Sequence, residues 1–220
     1  SEQIVPAGRN IGAGALVAVA SSETPELGFK NAVGLVKVNI RRDDITKVVI
    51  KTTEYENIAG TCTVDLNPNK EAEGEDPAVN LVADKKNAVT LTHENGTFVS
   101  GEYYAAIYPR AISGVEVTFT RKNGEAEESV IVKKAANTTV KRNGGIDLGD
   151  FFVYEISSAA DLLAWNKAVA KWTVWDVVTL TKTIDCTTIK SEDWTPNEFK
   201  GVFDGQGNTI DNLKIDKTGH

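Results

Sequence analysis

Methionine is absent from this 220-residue sequence, and cysteine and histidine are scarce, with two residues of each. Metal sites need clustered thiolate or imidazole ligands. Cys62 and Cys186 lie far apart in the chain, and His93 and His220 do not accompany them. The sequence therefore predicts neither a metal site nor a cofactor. It leaves a long-range disulfide open, although two unrelated buried thiols are the preferred interpretation.

A surplus of positive charge is also missing, because 24 Lys and Arg residues stand against 31 Asp and Glu residues, a net charge of -7. Proteins that bind nucleic acid by neutralising phosphates need a clustered basic surface. Here the basic residues are scattered, and the pair Arg41-Arg42 is followed directly by Asp43-Asp44. The sequence therefore predicts that nucleic acid is not a partner.

The beginning of the chain contains no long hydrophobic run. Its longest uncharged apolar stretch, Ile11–Ala20, is too short for a bilayer, which needs about 20 apolar residues. The stretch also lacks the charged flank and cleavage pattern of a signal peptide. The sequence thus predicts no membrane-spanning segment. Because the chain begins at Ser1 and has no Met, we expect its first residue to mark a processing or excision boundary.

What the sequence does contain is a period of two between Leu16 and Leu148, the period of half-buried strands. The apolar runs are short and rich in β-branched and aromatic residues, which suit a pleated surface. Turn residues separate them. Seven or more short strands at this spacing predict an all-β fold, a β-sandwich. The runs are 35–40, 48–50, 61–66, 89–92, 103–108, 115–119 and 129–132.

Two Asn-Gly pairs predict hairpins, since both central residues of a type I′ turn need a positive φ. Asn95-Gly96 is expected to join the run 89–92 to a strand near Phe98. Asn123-Gly124 is expected to join 115–120 to 129–132. The polar, acidic stretch 67–78, which is bounded by proline, is predicted to be an exposed loop.

The pattern changes near Asp150, where a helix is predicted. Ser158 can cap its first turn, and Asp161 can return a hydrogen bond and favour the positive helix end. Four apolar residues then share one helical face. Strands resume at Val177–Leu180. The sequence therefore predicts two domains, 1–149 and 150–220. The residues of the helical face are Leu162, Trp165, Val169 and Trp172.

The segment 153–216 resembles the beginning of the right-handed parallel β-helix of bacterial surface adhesins with GLUG-type repeats. The resemblance implies that the helix caps the open end of the solenoid, and that the turn at Phe203-Asp204-Gly205 leads into the first full rungs. The Gly-Leu-Phe-Gly rungs that should follow are missing, so we expect the chain to be an excised fragment. The matching residues are 156–162, 178–180, 184–185, 194–196, 199–210 and 212–213.

Residues 27–149 resemble the amino-terminal sandwich of fimbrillin-like proteins of Bacteroidetes. The resemblance implies a transthyretin-like or immunoglobulin-like sandwich on an exported lipoprotein, anchored by its lipid to the outer membrane at the cell surface. Family pilins carry a second sandwich and polymerise by donating a strand after proteolysis. Here a β-helix beginning replaces that sandwich, so a non-polymeric adhesin fits better. The matching residues are 29–38, 45–50, 58–61, 101–109 and 143–149.

Three carboxylates, Asp204, Asp211 and Asp216, are the best catalytic candidates, because paired carboxylates can supply acid and base. The preferred interpretation is that they are turn residues whose side chains satisfy local backbone groups. No cluster of His, Arg or Lys accompanies them. The sequence therefore predicts no catalytic residue and no enzyme.

Aromatic residues are the candidates for sugar contact: Tyr103, Tyr104, Tyr108, Trp165, Trp172, Trp175 and Trp194. Alternation places Tyr103 and Tyr104 on opposite faces of a sheet, so at least one of them is expected in the core. Trp165 and Trp172 are most simply packing residues of the helix. No ligand-binding residue is assigned.

One stretch near the start, Gly12–Ala20, suggests strand exchange, because it is an uncharged apolar segment behind the basic residue Arg9. Such a segment could leave its own sheet or enter that of a neighbour. The preferred interpretation is an ordinary first core strand.

The expected function is therefore that of an adhesin or a fimbria-associated surface protein that binds without catalysis. Its expected partners are other surface or pilus proteins, or host or dietary glycans. Two alternatives stay open: an accessory amino-terminal part of a β-helix enzyme that processes polysaccharides, and a glycan-binding surface lipoprotein.

Overall fold

The computed structural model describes residues 1–20, 22, 24–65, 78–151, 153–169 and 177–216, with the backbone alone at 123, 135 and 136. Strands dominate these residues, and they contain one α-helix. The all-β prediction is confirmed. No helix among the described residues is long and apolar enough to cross a membrane.

The chain divides into two compact units. Unit 1 consists of Ser1–Asn39 and Asp44–Gly149, and unit 2 of Ile40–Asp43 and Asp150–His220. The strands of the first part are β1 (Glu2–Val5), β2 (Ala18–Val19), β3 (Lys30–Asn31), β4 (Gly34–Ile40), β5 (Ile45–Thr52), β6 (Ala59–Val64), β7 (Val79–Lys86), β8 (Ala88–His93), β9 (Gly101–Ile107), β10 (Arg110–Asn123), β11 (Ala126–Val140) and β12 (Gly145–Asp147).

Two sheets carry most of unit 1. The larger has the order β1-β8-β5-β10-β11, and the smaller has the order β12-β4-β9. Pairing within the larger sheet is antiparallel except for β1, which runs parallel to β8. The short pairs β2-β3 and β6-β7 complete the unit.

Burial follows the period of two that the sequence predicts. In β8, Val89, Leu91 and His93 are buried, while the residues between them are only half-buried. Strand β5 contributes Val48 and Ile50 to the same core, both fully buried. Burying one such aliphatic side chain contributes about 1.5–3 kcal/mol to the free energy of folding.

The hairpin predicted at Asn123-Gly124 is confirmed, with a shift of one residue. Asn123 pairs with Ala126, so the two loop residues are Gly124 and Glu125. Gly124 has a φ of 64° and holds the first central position, where type II′ turns place glycine. The two strands are also longer than predicted, with 14 and 15 residues.

The hairpin predicted at Asn95-Gly96 is wrong. No strand forms at Phe98, and β8 pairs with β1 and β5 instead. Of the two turn residues only Gly96 has a positive φ, 86°. Phe98 is fully buried, and its N–H donates to the Ile45 carbonyl at 2.8 Å. Burial of the phenyl ring thus draws the chain towards β5 after the turn.

Unit 2 contains β13 (Val153–Ile156), the helix α1 (Ala159–Val169), β14 (Val177–Leu180), β15 (Ile184–Asp185), β16 (Val202–Asp204) and β17 (Ile210–Asp211). Among the described residues of this unit, all strand pairs are parallel, in the orders β13-β14-β16 and β15-β17. The first partners are Val153 with Val177, Val177 with Val202, and Ile184 with Ile210. These partners lie 24, 25 and 26 positions apart in the chain.

The cap of α1 is largely as predicted. The Asp161 N–H donates to Ser158 Oγ at 3.1 Å. The Asp161 carboxylate accepts hydrogen bonds from the N–H and hydroxyl of Ser157, one residue earlier than in a capping box. The hydroxyl of Ser157, followed by that of Ser158, lowers the pKa of Asp161. Leu162 and Trp165 are buried as predicted.

Two further predictions are wrong. Gly12–Ala20 is not a first core strand, because only Ala18–Val19 is extended and paired, and Leu16 is 52% exposed. The first strand is β1. Cys62 is exposed and Cys186 is buried, and both thiols are free, so only Cys186 fits the prediction of buried thiols. Trp172, Trp175 and most of the predicted loop 67–78 lie outside the described residues.

Candidate functional site

The N-terminal residues 1–13, which we name the covering segment, run along the edges of both sheets of unit 1. Their strand β1 pairs with β8, register Glu2 with Thr90. The chain then turns, with the Arg9 N–H donating to the Pro6 carbonyl at 3.1 Å. Beyond the turn, Ile11 forms a parallel bridge with Tyr104 of β9. One short segment therefore covers two sheet edges.

The outer edge of β9, together with Tyr108 after it, is satisfied by two parts of the chain, the covering segment and Ile58. Its N–H groups at 104, 106 and 108 point the same way, because alternate residues of a strand share a direction. The Tyr104 N–H donates to the Asn10 carbonyl at 2.8 Å, and the Tyr108 N–H to the Ile58 carbonyl at 2.7 Å. Between them, a side chain takes the place of a neighbouring strand.

That side chain is Gln3. Its Oε1 accepts a hydrogen bond from the Ala106 N–H at 3.0 Å, and its Nε2 donates to the Ala106 carbonyl at 2.7 Å. The two bonds copy the pairing that a strand peptide would make. Gly12 lets the covering segment fold back closely, because a Cβ there would lie 2.8 Å from the Gln3 Cβ.

A cavity of about 440 Å³ lies beside this edge. Small residues form much of its wall, among them Ala13 and Ala15 from the N-terminal part, Ala59 and Gly60 from β6, and Ala106 from β9. Such a wall leaves room for larger apolar side chains. The cavity therefore continues the β9 edge with a groove whose wall is both polar and apolar.

The covering segment is held mainly by backbone bonds. Val5 is the only buried side chain of β1, and Ile4 is 53% exposed. Arg9 is exposed in the turn. A strand that buries one side chain contributes little hydrophobic free energy to its own attachment. The segment is thus among the parts of unit 1 that we expect to open most easily.

Next to this edge, an ion-pair cluster links β4, β9 and β12. Lys37 Nζ lies 2.5 Å from Asp147 Oδ2 and 3.0 Å from Glu102 Oε1. The hydrogen bonds to Asp147 and then to Glu102 raise the pKa of Lys37. The hydrogen bond from Lys37 lowers the pKa of Asp147. Glu102 is therefore already partly neutralised where it meets solvent.

Of the three candidate carboxylates in unit 2, Asp204 has the predicted turn role, because its Oδ1 accepts from the Gln206 N–H at 2.9 Å. For Asp216, a backbone bond from its N–H to Ser191 Oγ is found. Asp211 stands in register with Asp185 on the adjacent strand.

Asp185 is the carboxylate that the sequence analysis missed. It accepts hydrogen bonds from the Thr187 hydroxyl, the Thr187 N–H at 3.1 Å and Asn212 Nδ2 at 3.0 Å. The bond from the Thr187 hydroxyl, followed by that from Asn212, lowers its pKa. The general acid of a glycosidase needs a raised pKa. Asp185 therefore fits a structural turn, and an Asp-x-Thr spacing is the signal that could have identified it.

The aromatic candidates are largely engaged internally. Tyr103 is buried, which confirms the prediction of a core tyrosine in this pair, and its hydroxyl donates to the Val99 carbonyl at 2.8 Å. The Tyr108 hydroxyl donates to the Val79 carbonyl at 3.1 Å. Trp165 contacts Phe199 and Phe203 edge-on, and Trp194 packs on the core of unit 2.

Comparison with protein-family models found no match, and comparison with curated proteins found none either.

Proposed function

We propose that this chain is part of a bacterial surface adhesin or fimbria-associated protein, which acts by binding and display without catalysis. Residues 1–149 form a transthyretin-like or immunoglobulin-like sandwich related to fimbrillins. Residues 150–220 form a cap helix and the first coils of a GLUG-type, right-handed β-helix. The precursor is an exported lipoprotein of the outer membrane. Its partners are other surface or pilus proteins, or glycans of the host or its diet.

This proposal rests on the observation that different parts of the chain share the hydrogen bonds along the β9 edge. The N–H groups of Tyr104, Ala106 and Tyr108 bond to Asn10, Gln3 and Ile58, which belong to two parts of the chain, the covering segment and the residue before β6. One extended strand of a partner could bond to all three at once, by β-augmentation. The adjoining groove of about 440 Å³ would receive its alternate side chains. This arrangement suits binding to another protein.

The parallel pairs of unit 2 support the β-helix part of the proposal. Coils of a solenoid repeat at a nearly constant length and bury a continuous core between neighbours. The spacing of 24 to 26 residues between paired positions meets the first condition. The shared core of Ile156, Val178 and Ile184 meets the second.

The function is tested by a pull-down in which the full-length protein is immobilised on beads. We expect it to retain either outer-membrane proteins of its own bacterium or members of a glycan array. Failure with both would overturn the proposal. Where a protein partner is retained, Gln3→Ala should strengthen its binding several-fold, since the edge at Ala106 becomes free.

The matched control is Ile4→Ala, because Ile4 lies in the same strand, is 53% exposed and does not line the groove. We expect this variant to bind the protein partner like the parent chain. If Gln3→Ala and Ile4→Ala behave alike, the β9 edge is not the binding surface.

A further inference from the structure

A second cavity of unit 1, of about 500 Å³, is walled by three stretches of chain. They are the turn after β1, the end of β8 with its following turn, and the residues that lead into β9. We name it the loop cavity. Its volume falls within the range of small-molecule sites, about 300–1,000 Å³. Of the aromatic candidates for sugar contact, Tyr103 lines this cavity.

The walls of the loop cavity are held in place by backbone hydrogen bonds. The Tyr104 N–H donates to the Asn10 carbonyl at 2.8 Å, which fixes the first wall. The Gly96 N–H donates to the His93 carbonyl at 2.9 Å in the second wall. Phe98, bonded to Ile45, anchors the third. The second and third walls are therefore already shaped before a ligand arrives, which reduces the entropic cost of binding, whereas the first wall belongs to the covering segment.

Two buried rings line the cavity. His93 is 7% exposed and Tyr103 is 5% exposed. The rings contact each other edge-on, with centroids 6.5 Å apart, and both contact Phe98. His93 Nδ1 accepts a hydrogen bond from the Asn95 N–H at 3.2 Å. Nδ1 of His93 is thereby engaged within the chain, and Nε2 is the other polar atom of the ring.

The exposed rim combines donors and acceptors without surplus charge. Asn10, Asn95 and Ser100 each offer both a donor and an acceptor. Arg9 adds one positive charge, and Glu102 adds a negative charge that already pairs with Lys37 at 3.0 Å. Neighbouring hydroxyl groups of a ligand suit this alternation of donor and acceptor, whereas the carboxylate of an anionic ligand would meet Glu102 as well as Arg9.

An apolar residue completes the rim. Val99 is 65% exposed at the cavity. A sugar ring has a polar edge of hydroxyl groups and a face of C–H groups, so it can use both kinds of contact. We infer that the loop cavity binds a neutral carbohydrate of one or two hexose rings. This inference rests on the proposed binding role of the protein, and the loop cavity shares the hydrogen bond from Tyr104 to Asn10 with the cover of the β9 edge.

The test is a titration of the isotope-labelled chain with methyl β-glucopyranoside, methyl β-galactopyranoside, methyl α-mannopyranoside and lactose, followed by amide NMR shifts. Methyl β-glucuronide serves as the charged counterpart. We expect at least one neutral sugar to bind with a Kd on the order of 1 mM, with shifts confined to residues 8–10, 93–95 and 99–103. The glucuronide should bind more weakly.

One rim variant and one control variant test the assignment. The double variant Asn95→Ala with Ser100→Ala should weaken sugar binding about tenfold, since it removes two polar side chains from the rim. The control is Asn80→Ala, an exposed amide on β7 away from the lining, which should leave binding unchanged. Both variants keep the backbone bonds of the walls, and their NMR spectra report that they are folded.

The inference is overturned by any of three results: no shift at about 20 mM of every neutral sugar, tighter binding of the glucuronide, or unchanged binding by the double rim variant. These results would leave the Gln3→Ala experiment at the β9 edge unaffected. Failure of this inference and failure of the proposed function are therefore distinguishable.

Discussion

Units 1 and 2 satisfy the backbone of their strands in different ways. Unit 1 relies on antiparallel neighbours and on long strands, such as β10 and β11 with 14 and 15 residues. Unit 2 has only parallel pairs among its described residues, and its strands have two to four residues. Long ladders can hold a sheet by backbone bonds. Short parallel strands cannot, so unit 2 needs side-chain hydrogen bonds as well.

Side-chain amides and carboxylates form these additional hydrogen bonds. Asn208 Nδ2 donates to the Leu180 carbonyl at 3.0 Å, which joins two successive coils. Asn212 joins β15 to the turn after β17 by donating to Asp185. The comparison teaches that unit 1 is specified by alternation along strands, whereas unit 2 is specified by polar residues at turns.

The edges differ as well. In unit 1, the covering segment occupies the edges of β8 and β9. In unit 2, β16 is an edge strand within the described residues, and its Val202 and Phe203 are 38% and 39% exposed. Because each coil of a solenoid buries its neighbour, exposure at this strand is what the β-helix proposal expects.

The largest expected effect comes from cavities in the two cores. Leu91→Ala in unit 1 and Leu162→Ala in unit 2 each remove a buried side chain, 0% and 1% exposed. Each should lower the free energy of unfolding by about 2–5 kcal/mol. All four tryptophans follow residue 164, so tryptophan fluorescence during urea unfolding reports on residues 150–220.

We expect Leu162→Ala to lower the urea midpoint seen by tryptophan fluorescence. Leu91→Ala should instead lower the midpoint followed by NMR resonances of β5 and β8. If both variants shift both midpoints equally, the two units unfold as one cooperative block. The two units then have no separate free energies of unfolding to compare.

The next-largest expected effect on the free energy of unfolding comes from a buried side-chain amide of unit 2. Asn166 is 3% exposed, its Nδ2 donates to the Thr195 carbonyl at 2.8 Å, and its Oδ1 accepts from the Thr195 N–H at 2.9 Å. Asn166→Ala leaves the Thr195 N–H unpaired, whereas the Thr195 carbonyl still accepts from Asn197 Nδ2 at 2.8 Å, so the expected cost is about 1–3 kcal/mol. Tryptophan fluorescence during urea unfolding measures it.

Lys167→Ala is the control for Asn166→Ala, because Lys167 is exposed on the same helix. Its effect should stay within about 0.5 kcal/mol. Equal effects of the two substitutions would mean that the Asn166 amide does not stabilise unit 2.

Sequence reasoning identified the elements whose signals are local. The strand Val177–Leu180 and the cap at Ser158 formed as predicted, because alternation and capping depend on near neighbours. Strand β1 was missed because it buries only Val5, which leaves no alternating pattern to read. Its partner β8 lies far along the chain, and no local signal encodes that pairing.

The sites were harder to predict than the strands. The Gln3 side chain acts as part of a sheet, and its role depends on Ala106, a distant residue. Asn166 lies on the apolar face of α1, where an amide is explained only by its bonds to Thr195. The loop cavity depends on the turn at Asn95-Gly96, which sequence reasoning assigned to a hairpin. Each of these features requires tertiary contacts.

A third prediction concerns close backbone packing in unit 1. A Cβ at Gly34 of β4 would lie 2.5 Å from Val140 Cγ1 and 2.7 Å from the Lys141 carbonyl oxygen. Gly34→Ala should therefore cost about 1–3 kcal/mol by overpacking. Gly101→Ala is the control, because its nearest contacts would be an ordinary 3.8 Å. Thermal unfolding of both variants measures the difference, and equal melting temperatures would contradict this account.

The smallest expected effect concerns two aspartates whose pKa values are lowered by different kinds of polar contact. The pKa of Asp147 in unit 1 is lowered by Lys37, an ion pair, whereas the pKa of Asp185 in unit 2 is lowered by Thr187 and Asn212, which are uncharged. Both depressed pKa values stabilise the fold above the ordinary Asp pKa of about 4. That stabilisation is lost as the pH falls through each lowered pKa.

Salt should distinguish the two carboxylates, because it screens exposed charges but has little effect on neutral hydrogen bonds. We expect about 1 M NaCl to raise the pKa of Asp147 towards its ordinary value and to leave that of Asp185 nearly unchanged. NMR titration of the carboxyl carbons at low and high salt measures both groups in one sample. A shift of equal size at both carboxylates would show that ion pairing does not distinguish unit 1 from unit 2.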